Sequence, residues 1–350
     1  MNGLEFNFPI HHLVKQGEID VNIYDIADKA GVSIATVSRV INNDKKVSKS
    51  TRDRVQKIIE NNNFIKKSDY SRHTNNTIVY MCSGTDSGDM ADKITYLSDA
   101  LYKSGYKTAI ACCNQDETAK KNMLERYLSE NFSGIIIDGH DFLTYSIEEN
   151  INLLKEITIP SVIINGYFDN VDNVNLCYVN NNISSFIENI AKEYIRKEKK
   201  KILFLFERMS FGVKNILTGL HNAYDFAGMD ADPDFTQLCR DMSYVEKYIN
   251  TLIDKEKIPD VVLCKSEKLA AYASIILQKK NYKIPEDIEI LCVGDSEICS
   301  LVKPQLTSVD IKSKEICDTV INVLIGKINK KTVPVISIIN VELLKRESTL

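Results

Sequence analysis

VNIYDIADKAGVSIATVSRVINNDKKVSKSTRDRVQKIIENNNF, residues 21–64, is the stretch whose reading decides the fold. Ile23, Ile26, Ala27 and Ala30 recur at the i, i+3, i+4, i+7 spacing of a helix with one buried face, and Asn22 stands where such a helix is capped. Gly31 supplies the permissive backbone of a sharp turn. Ser33 can cap a second helix with Val37, Val40 and Ile41 on one face. Ser48 or Ser50 opens a third, with Val55, Ile58 and Ile59 inward. Helices joined by a Gly-Val-Ser turn describe a helix-turn-helix, a motif whose second helix enters the major groove of DNA. A small helical subdomain with no nucleic-acid role has the same pattern, and charge separates the two. Residues 21–76 carry 11 Lys and Arg against 6 Asp and Glu, which leaves 33 against 42 for the rest of the chain. A basic head on an acidic body fits a DNA-binding module joined to something else.

The body is long enough for two lobes, since the whole chain has 350 residues. The composition of the whole chain, 44% hydrophobic and 26% charged, is that of a soluble globular protein. No apolar run approaches the roughly 20 residues of a membrane span. The first 20 residues lack a basic segment followed by an apolar one, so a cytoplasmic location is expected. Nine cysteines without a C-x-x-C pair read as reduced thiols, Cys112 and Cys113 being adjacent. His11 and His12 lack the accompanying cysteines or carboxylates of a metal site, and no metal or cofactor is expected.

From Thr77 onward, short apolar runs alternate with amphipathic segments. Strands are expected at TIVYM, KTAIACC, GIIID, PSVII, KILFLF, DVVLC and EILCV. Helices are expected at 94–104, 117–130, 147–157, 182–197, 214–226, 243–254 and 268–280. Strand–helix alternation with fully apolar strands predicts parallel sheets covered on both faces, and there is too much of it for one sheet. The fold class is therefore α/β: a three-helix head and two doubly wound lobes. Residues 1–20 form an unassigned extension, 21–64 the head, 65–76 a linker and 77–350 the two-lobed core.

The run YDIADKAGVS followed by TVSRVIN, with VSKSTRDRV in place of the third helix, resembles the DNA-binding head of the LacI/GalR family of bacterial transcriptional repressors. KIPEDIEILCVG, PQLTSVDI and LLKREST extend the resemblance to the family's core, which has the fold of type I periplasmic sugar-binding proteins. The resemblance covers about residues 21–350. It implies a homodimer reading a pseudo-palindromic DNA operator as a repressor, with a small-molecule effector of the sugar or sugar-phosphate class between the lobes. A regulator without a small effector, controlled by a protein partner or by its own concentration, is the alternative.

The resemblance assigns Ile34 and Ala35 to the positions that choose the operator, and Arg39 to the base-reading arginine. The apolar pair suits a thymine methyl, and an arginine can bond guanine bidentately. Tyr24, Thr36, Ser38, Asn42, Ser48 and Thr51 are candidate phosphate contacts, which fix register rather than sequence, and Ser33 is a further DNA-binding candidate. Thr36 and Ser38 equally suit caps or solvent. In the linker, His73 stands where the family has a leucine that wedges into the minor groove, Tyr70 where a small residue is usual, and Lys66-Lys67 in place of Pro-Asn.

Ligands of such folds sit between the lobes at the C-terminal ends of the strands. Ser83, Asp86, Asp138, Asn165, Lys265 and Asp295 are the candidate ligand groups, with loop or cap roles as the equal alternative for each. The chain departs from the family's sugar-binding pattern at four places: Lys265-Ser266 for Asn-Asp, Ile216 for an arginine, Ser296 for an aspartate and Asn165-Gly166 for Asp-Arg. The family's three crossings between lobes are expected near Lys199, Cys299 and Lys331. The absence of G-x-S-x-G, G-x-G-x-x-G and P-loop motifs argues against an enzyme, and the five histidines fall in no catalytic pattern. His140, in GIIIDGHD after a strand, reads as a loop residue.

Overall fold

Apolar residues repeating every three to four positions fold the head into α1 (Ile23–Ala30), α2 (Ile34–Ile41) and α3 (Lys49–Asn61). The structure is a computed structural model and describes residues 23–41, 47–61, 76–82, 88–112, 117–130, 132–139, 147–168 and 171–350. Its contacts divide the chain into two units, Met1–Thr74 and Asn75–Leu350. In the first, Ile26, Ala27, Ala30, Val37, Val40 and Val55 form one buried core, with Val32, Val47, Ile58 and Ile59 packed against it. Ile26, Ala27, Ala30, Val37, Val40, Val55, Ile58 and Ile59 are among the expected inward residues of the three helices; the side chains of Ile23 and Ile41, and Asn22, the expected cap of α1, lie outside what the structure describes. Gly31 has φ +61°, and the amides of Gly31 and Val32 donate to the carbonyls of Asp28 and Ala27 at 3.0 Å each. A left-handed residue that closes one helix and reverses the chain is best supplied by glycine.

The second unit contains two sheets. Sheet A has the order β11-β5-β4-β3-β1-β2. Its strands are β1 (Thr77–Cys82), β2 (Lys107–Cys112), β3 (Gly134–Asp138), β4 (Ser161–Ile164), β5 (Leu176–Asn181) and β11 (Ile336–Ile339). All their pairings are parallel. Sheet B has the order β12-β10-β9-β8-β6-β7. It comprises β6 (Ile202–Phe206), β7 (Thr236–Leu238), β8 (Val261–Cys264), β9 (Glu289–Val293), β10 (Thr307–Asp310) and β12 (Glu342–Leu344). Only β12 runs antiparallel to its neighbour.

Helices cover both faces of each sheet, as uninterrupted apolar strands require. α4 (Gly88–Lys103), α5 (Glu117–Ser129) and α6 (Ile147–Lys155) belong to the first lobe. α7 (Ile183–Arg196), α8 (Phe211–Phe226), α9 (Met242–Asp254), α10 (Glu267–Lys279) and the short α11 (Ile298–Leu301) belong to the second. α12 (Ser313–Ile328) follows β10 yet buries Ile316, Cys317, Val320 and Leu324 against Ile78, Tyr80 and Leu97 of the first lobe.

The expected crossings near Lys199, Cys299 and Lys331 are corrected by this topology. α7 packs entirely in the second lobe, so the first crossing is at Asn182, ahead of the helix rather than behind it. Cys299 sits in the second-lobe core, and the chain leaves that lobe only between Asp310 and α12. The last crossing is the short link from β11 to β12 at Asn340-Val341.

Side chains tie these crossings together. The Asn182 side chain accepts from the Val341 amide at 2.9 Å and donates to Asn340 Oδ1 at 3.0 Å. Lys312 Nζ lies 3.0 Å from Asp310 Oδ2 and is hydrogen-bonded to Glu342. Those two carboxylates, Glu342 foremost, hold the Lys312 ammonium above the usual lysine range.

Several elements went unpredicted. β5 reads LCYVNN, a short apolar run trailing into asparagines, while β7, β10, β11 and β12 are three or four residues long and acquire their identity from neighbouring strands. α12 is apolar on much of its circumference because it is buried beneath sheet A, which blurs the helical period. α4 begins at Gly88, six residues ahead of the expected start at Ile94.

Candidate DNA-binding surface and effector cleft

The local chemistry of the head begins with its caps. Ser33 Oγ accepts from the Thr36 amide at 3.2 Å, and Ser48 Oγ accepts from the Thr51 amide at 3.3 Å, so both serines satisfy helix N-terminal donors. The hydroxyls pair as well, Ser33 with Thr36 at 2.9 Å and Ser48 with Thr51 at 2.8 Å. Ser33 and Ser48 are exposed, and Thr36 and Thr51 are half-buried. These four candidates therefore order the starts of α2 and α3 and leave hydroxyl oxygens at the surface. Arg39 is exposed while Val37 and Val40 on either side of it point into the core. Positions 35 and 39 stand one turn apart on α2. Tyr24, Ile34, Ala35 and Ser38 lie within α1 and α2. Asn42, Tyr70 and His73, with Lys66 and Lys67, lie outside the described residues.

In the core, the candidates occupy strand ends but differ in what already engages them. Asp138 is the last residue of β3 and is buried, accepting from the Tyr80 hydroxyl at 3.2 Å and lying 3.7 Å from Lys93 Nζ of α4. The side chains of Lys93 and Asp138 are 4% and 2% exposed, so this ion pair is interior to the first lobe. Burial, with Asp138 adjacent, pushes the Tyr80 hydroxyl far above the usual tyrosine range, which keeps it a donor. Asn165 directly follows β4 with φ 52°, and its amide donates to the Val179 carbonyl at 3.1 Å. The next amide, Gly166, donates to Asn180 Oδ1 at 2.9 Å. Ser83, Asp86 and His140 lie outside the described residues.

On the second lobe, Lys265 directly follows β8, its amide donating to the Leu205 carbonyl at 2.8 Å and its side chain half-buried. Ser266 caps α10 by accepting from the Leu269 amide at 3.3 Å, and it donates to Glu207. Asp295, two residues past β9, is 2.7 Å from Arg346 and accepts from Ser308 Oγ at 2.7 Å. Arg346 also donates to the Leu306 carbonyl at 3.0 Å and to Ser308 at 2.6 Å. Ile216 is fully buried with Phe204 and Val213, so that position supplies packing in place of a charge.

Sequence reasoning missed Tyr80, Lys93, Glu207 and Arg346. Tyr80 and Lys93 lie within an apolar strand and a helix and become visible only when β1, β3 and α4 meet. Arg346 lies in LLKREST, a segment noted for resemblance but not for its arginine. Two small apolar voids, each about 10 Å3, lie inside the second lobe, one lined by Ile249, Val262 and Leu277 and the other by Ile187, Ile202 and Leu263. Both are packing gaps among core side chains, away from the strand ends. Among the described residues no helix is long and apolar enough to cross a membrane, and no group of three His, Cys, Asp or Glu side chains could hold a metal.

Comparison with known proteins agrees with both units. Residues 22–67 match the family model for bacterial regulatory proteins of the lacI family, and residues 217–349 match a periplasmic binding protein-like domain. A transcriptional regulator of the helix-turn-helix type from Lachnoclostridium phytofermentans is 27% identical over 334 residues, covering 94% of this chain and 99% of that protein. Catabolite control protein A of Staphylococcus epidermidis is 28% identical over 298 residues, covering 83% and 87%. Among solved structures, the lac repressor dimer bound to operator and the anti-inducer ONPF superposes with a TM-score of 0.71 at 18% identity, covering 95% of this chain and all of that one. A complex of the transcriptional regulator CelR with cellobiose gives 0.65 at 21% identity, covering 93% and 99%. The basic head with its outward Arg39, carried on a chain that also has the paired parallel sheets of the periplasmic-binding-protein fold, is that of a DNA-binding transcriptional regulator, and the chain belongs to the LacI family.

Proposed function

We propose that this protein is a homodimeric repressor that reads a pseudo-palindromic operator and releases it when a small molecule of the sugar or sugar-phosphate class binds between the lobes. The observation that carries the reading is Arg39, exposed on the outer side of a helix whose other side is fixed in the core by Val37 and Val40. A rigid helix presenting a guanidinium can bond a guanine edge bidentately. Ile34 and Ala35 face the same groove and contact thymine methyls. Tyr24, Ser33, Thr36, Ser38, Asn42, Ser48 and Thr51 engage phosphates, and Tyr70 and His73 act from the linker. Two heads related by a two-fold axis read two half-sites.

Exposed apolar side chains support dimerisation through the core. Ile275 of α10 and Ile298 and Leu301 of α11 remain 37–75% exposed, and the two helices touch. Such a patch on a folded core is suited to burial against a second copy. The relative from Lachnoclostridium phytofermentans is named as a transcriptional regulator, and the reading assigns this chain no enzymatic activity.

In the cleft, Asn165 and Lys265 are the groups best placed to meet an effector, with Ser83 and Asp86 on the first lobe. Lys265 favours an anionic ligand such as a phosphorylated sugar. A specific observation also favours a second reading, in which a protein partner or the protein's concentration controls release: two of the three acidic candidates, Asp138 and Asp295, are engaged by Lys93 and Arg346 of the chain itself. Sugars and sugar phosphates added to the operator complex separate the two. Release by one compound, weakened in Lys265→Ala, supports the effector reading; no release by any, with calorimetric titrations equal in wild type and Lys265→Ala, supports the second.

A further inference from the structure

Cys82 ends β1 and Cys112 ends β2, and the two are direct register partners on adjacent parallel strands. Their sulfurs lie 3.4 Å apart, Cys82 buried against the first-lobe core and Cys112 exposed at the surface. Neighbouring strands are roughly 4.8 Å apart. That spacing falls inside the Cα separation of roughly 4.4–6.8 Å that a disulfide tolerates. Register partners also project from the same face of a sheet, so both Cβ atoms face the bond to be made. Backbone, direction and sulfur contact are thus already in place for a bond between strands that are held rigid by the sheet.

We propose that Cys82 and Cys112 form a peroxide-reactive dithiol site, reversibly oxidised to an intrachain disulfide. The thiolate is the nucleophile in such chemistry, and a reactive cysteine is accessible with a resolving thiol beside it. Cys112, the exposed member, attacks one oxygen of hydrogen peroxide. The O–O bond breaks, hydroxide leaves and is protonated to water, and Cys112 becomes a sulfenic acid. Cys82 then attacks that sulfur; the S–S bond forms, the S–O bond breaks, and the departing hydroxide takes the Cys82 thiol proton as a second water. The two thiols are oxidised by two electrons and one peroxide is reduced. A cellular dithiol reductant reverses the change by exchange. Cys292 and Cys299 are also neighbours, at 3.7 Å, but both are buried and offer no exposed member for the first step.

The test uses the full-length protein and hydrogen peroxide alone, followed by alkylation in denaturant and peptide mass mapping. The expected result is a cross-linked pair of peptides containing Cys82 and Cys112, two hydrogens lighter than their sum and restored by dithiothreitol. Cys112→Ser, at an exposed position that preserves folding, should abolish the cross-link completely. Cys82→Ala should instead accumulate a sulfenic acid on Cys112 that dimedone captures. The proposal is overturned if peroxide leaves Cys82 fully alkylatable in the wild type while Cys112 is overoxidised, joins Cys113, or joins a second copy.

Discussion

Arg346 lies 2.7 Å from Asp295, joining the segment after β12 to the loop that follows β9. Both side chains are about four-fifths buried, and Ser308 completes the cluster by donating to Asp295 while accepting from Arg346. A loop that would otherwise present a carboxylate to the cleft is therefore anchored by the chain itself. Removing one partner of a partly buried, charge-assisted hydrogen bond leaves the other unsatisfied and costs about 1–3 kcal/mol. Arg346→Met should lower stability by that amount in urea unfolding. A change within about 0.5 kcal/mol, the range of ordinary surface substitutions, would show that the pair contributes nothing.

The packing of α7 on α8 supplies a second expectation. A Cβ at Gly219 would stand 2.4 Å from the Ser184 carbonyl oxygen, a backbone atom that cannot swing away. Gly219→Ala should destabilise the second lobe by about 1–3 kcal/mol, the range for overpacking. An unchanged midpoint of thermal unfolding would mean the helices separate freely.

How much of this was legible beforehand follows from where each signal resides. The head was readable because its evidence is local: apolar spacing, one turn glycine and two capping serines all lie within the same short stretch, and Ile26, Val37 and Val55 meet as that spacing requires. The strands buried on both faces, such as GIIID and EILCV, were readable from their continuous apolar runs. The crossings were not. Whether α7 or α12 belongs to one lobe or the other depends on which sheet its apolar face reaches, and no local pattern records that choice. The cleft was legible only as positions: strand ends named Asp138 and Asp295, but their partners Lys93 and Arg346 come from distant parts of the chain.

The crossings between the lobes invite a test of their own. Asn182 links the first crossing to the last through Val341 and Asn340. Asn182→Ala removes the acceptor for the Val341 amide, so hydrogen exchange at Val341 should accelerate while exchange in the middle of sheet B is unchanged. Equal protection of Val341 in both proteins would contradict this role for Asn182.

Acid sensitivity should be traceable to the start of α9. Asp241 accepts from the Ser243 hydroxyl at 2.6 Å and from the Ser243 and Tyr244 amides at 2.9 and 3.1 Å. The Ser243 hydroxyl foremost, then the Tyr244 amide, lowers its pKa below the usual aspartate value. A carboxylate depressed in the folded state contributes stability above its unfolded pKa and loses it as pH falls through the folded value. Asn also caps helices but does not titrate in this range. The stability advantage of wild type over Asp241→Asn should therefore be present at pH 6 and shrink as pH falls below about 4. A difference that stays constant with pH would place the interaction elsewhere.

The most direct test of the central claim is selection of bound DNA from a random pool at moderate salt, with wild type and Arg39→Ala in parallel. The account predicts that wild type enriches a pseudo-palindromic motif and that Arg39→Ala loses it while retaining salt-sensitive binding. Enrichment of no motif by wild type, with binding that only weakens as salt rises, would show attraction to phosphates alone and contradict sequence-specific reading through α2.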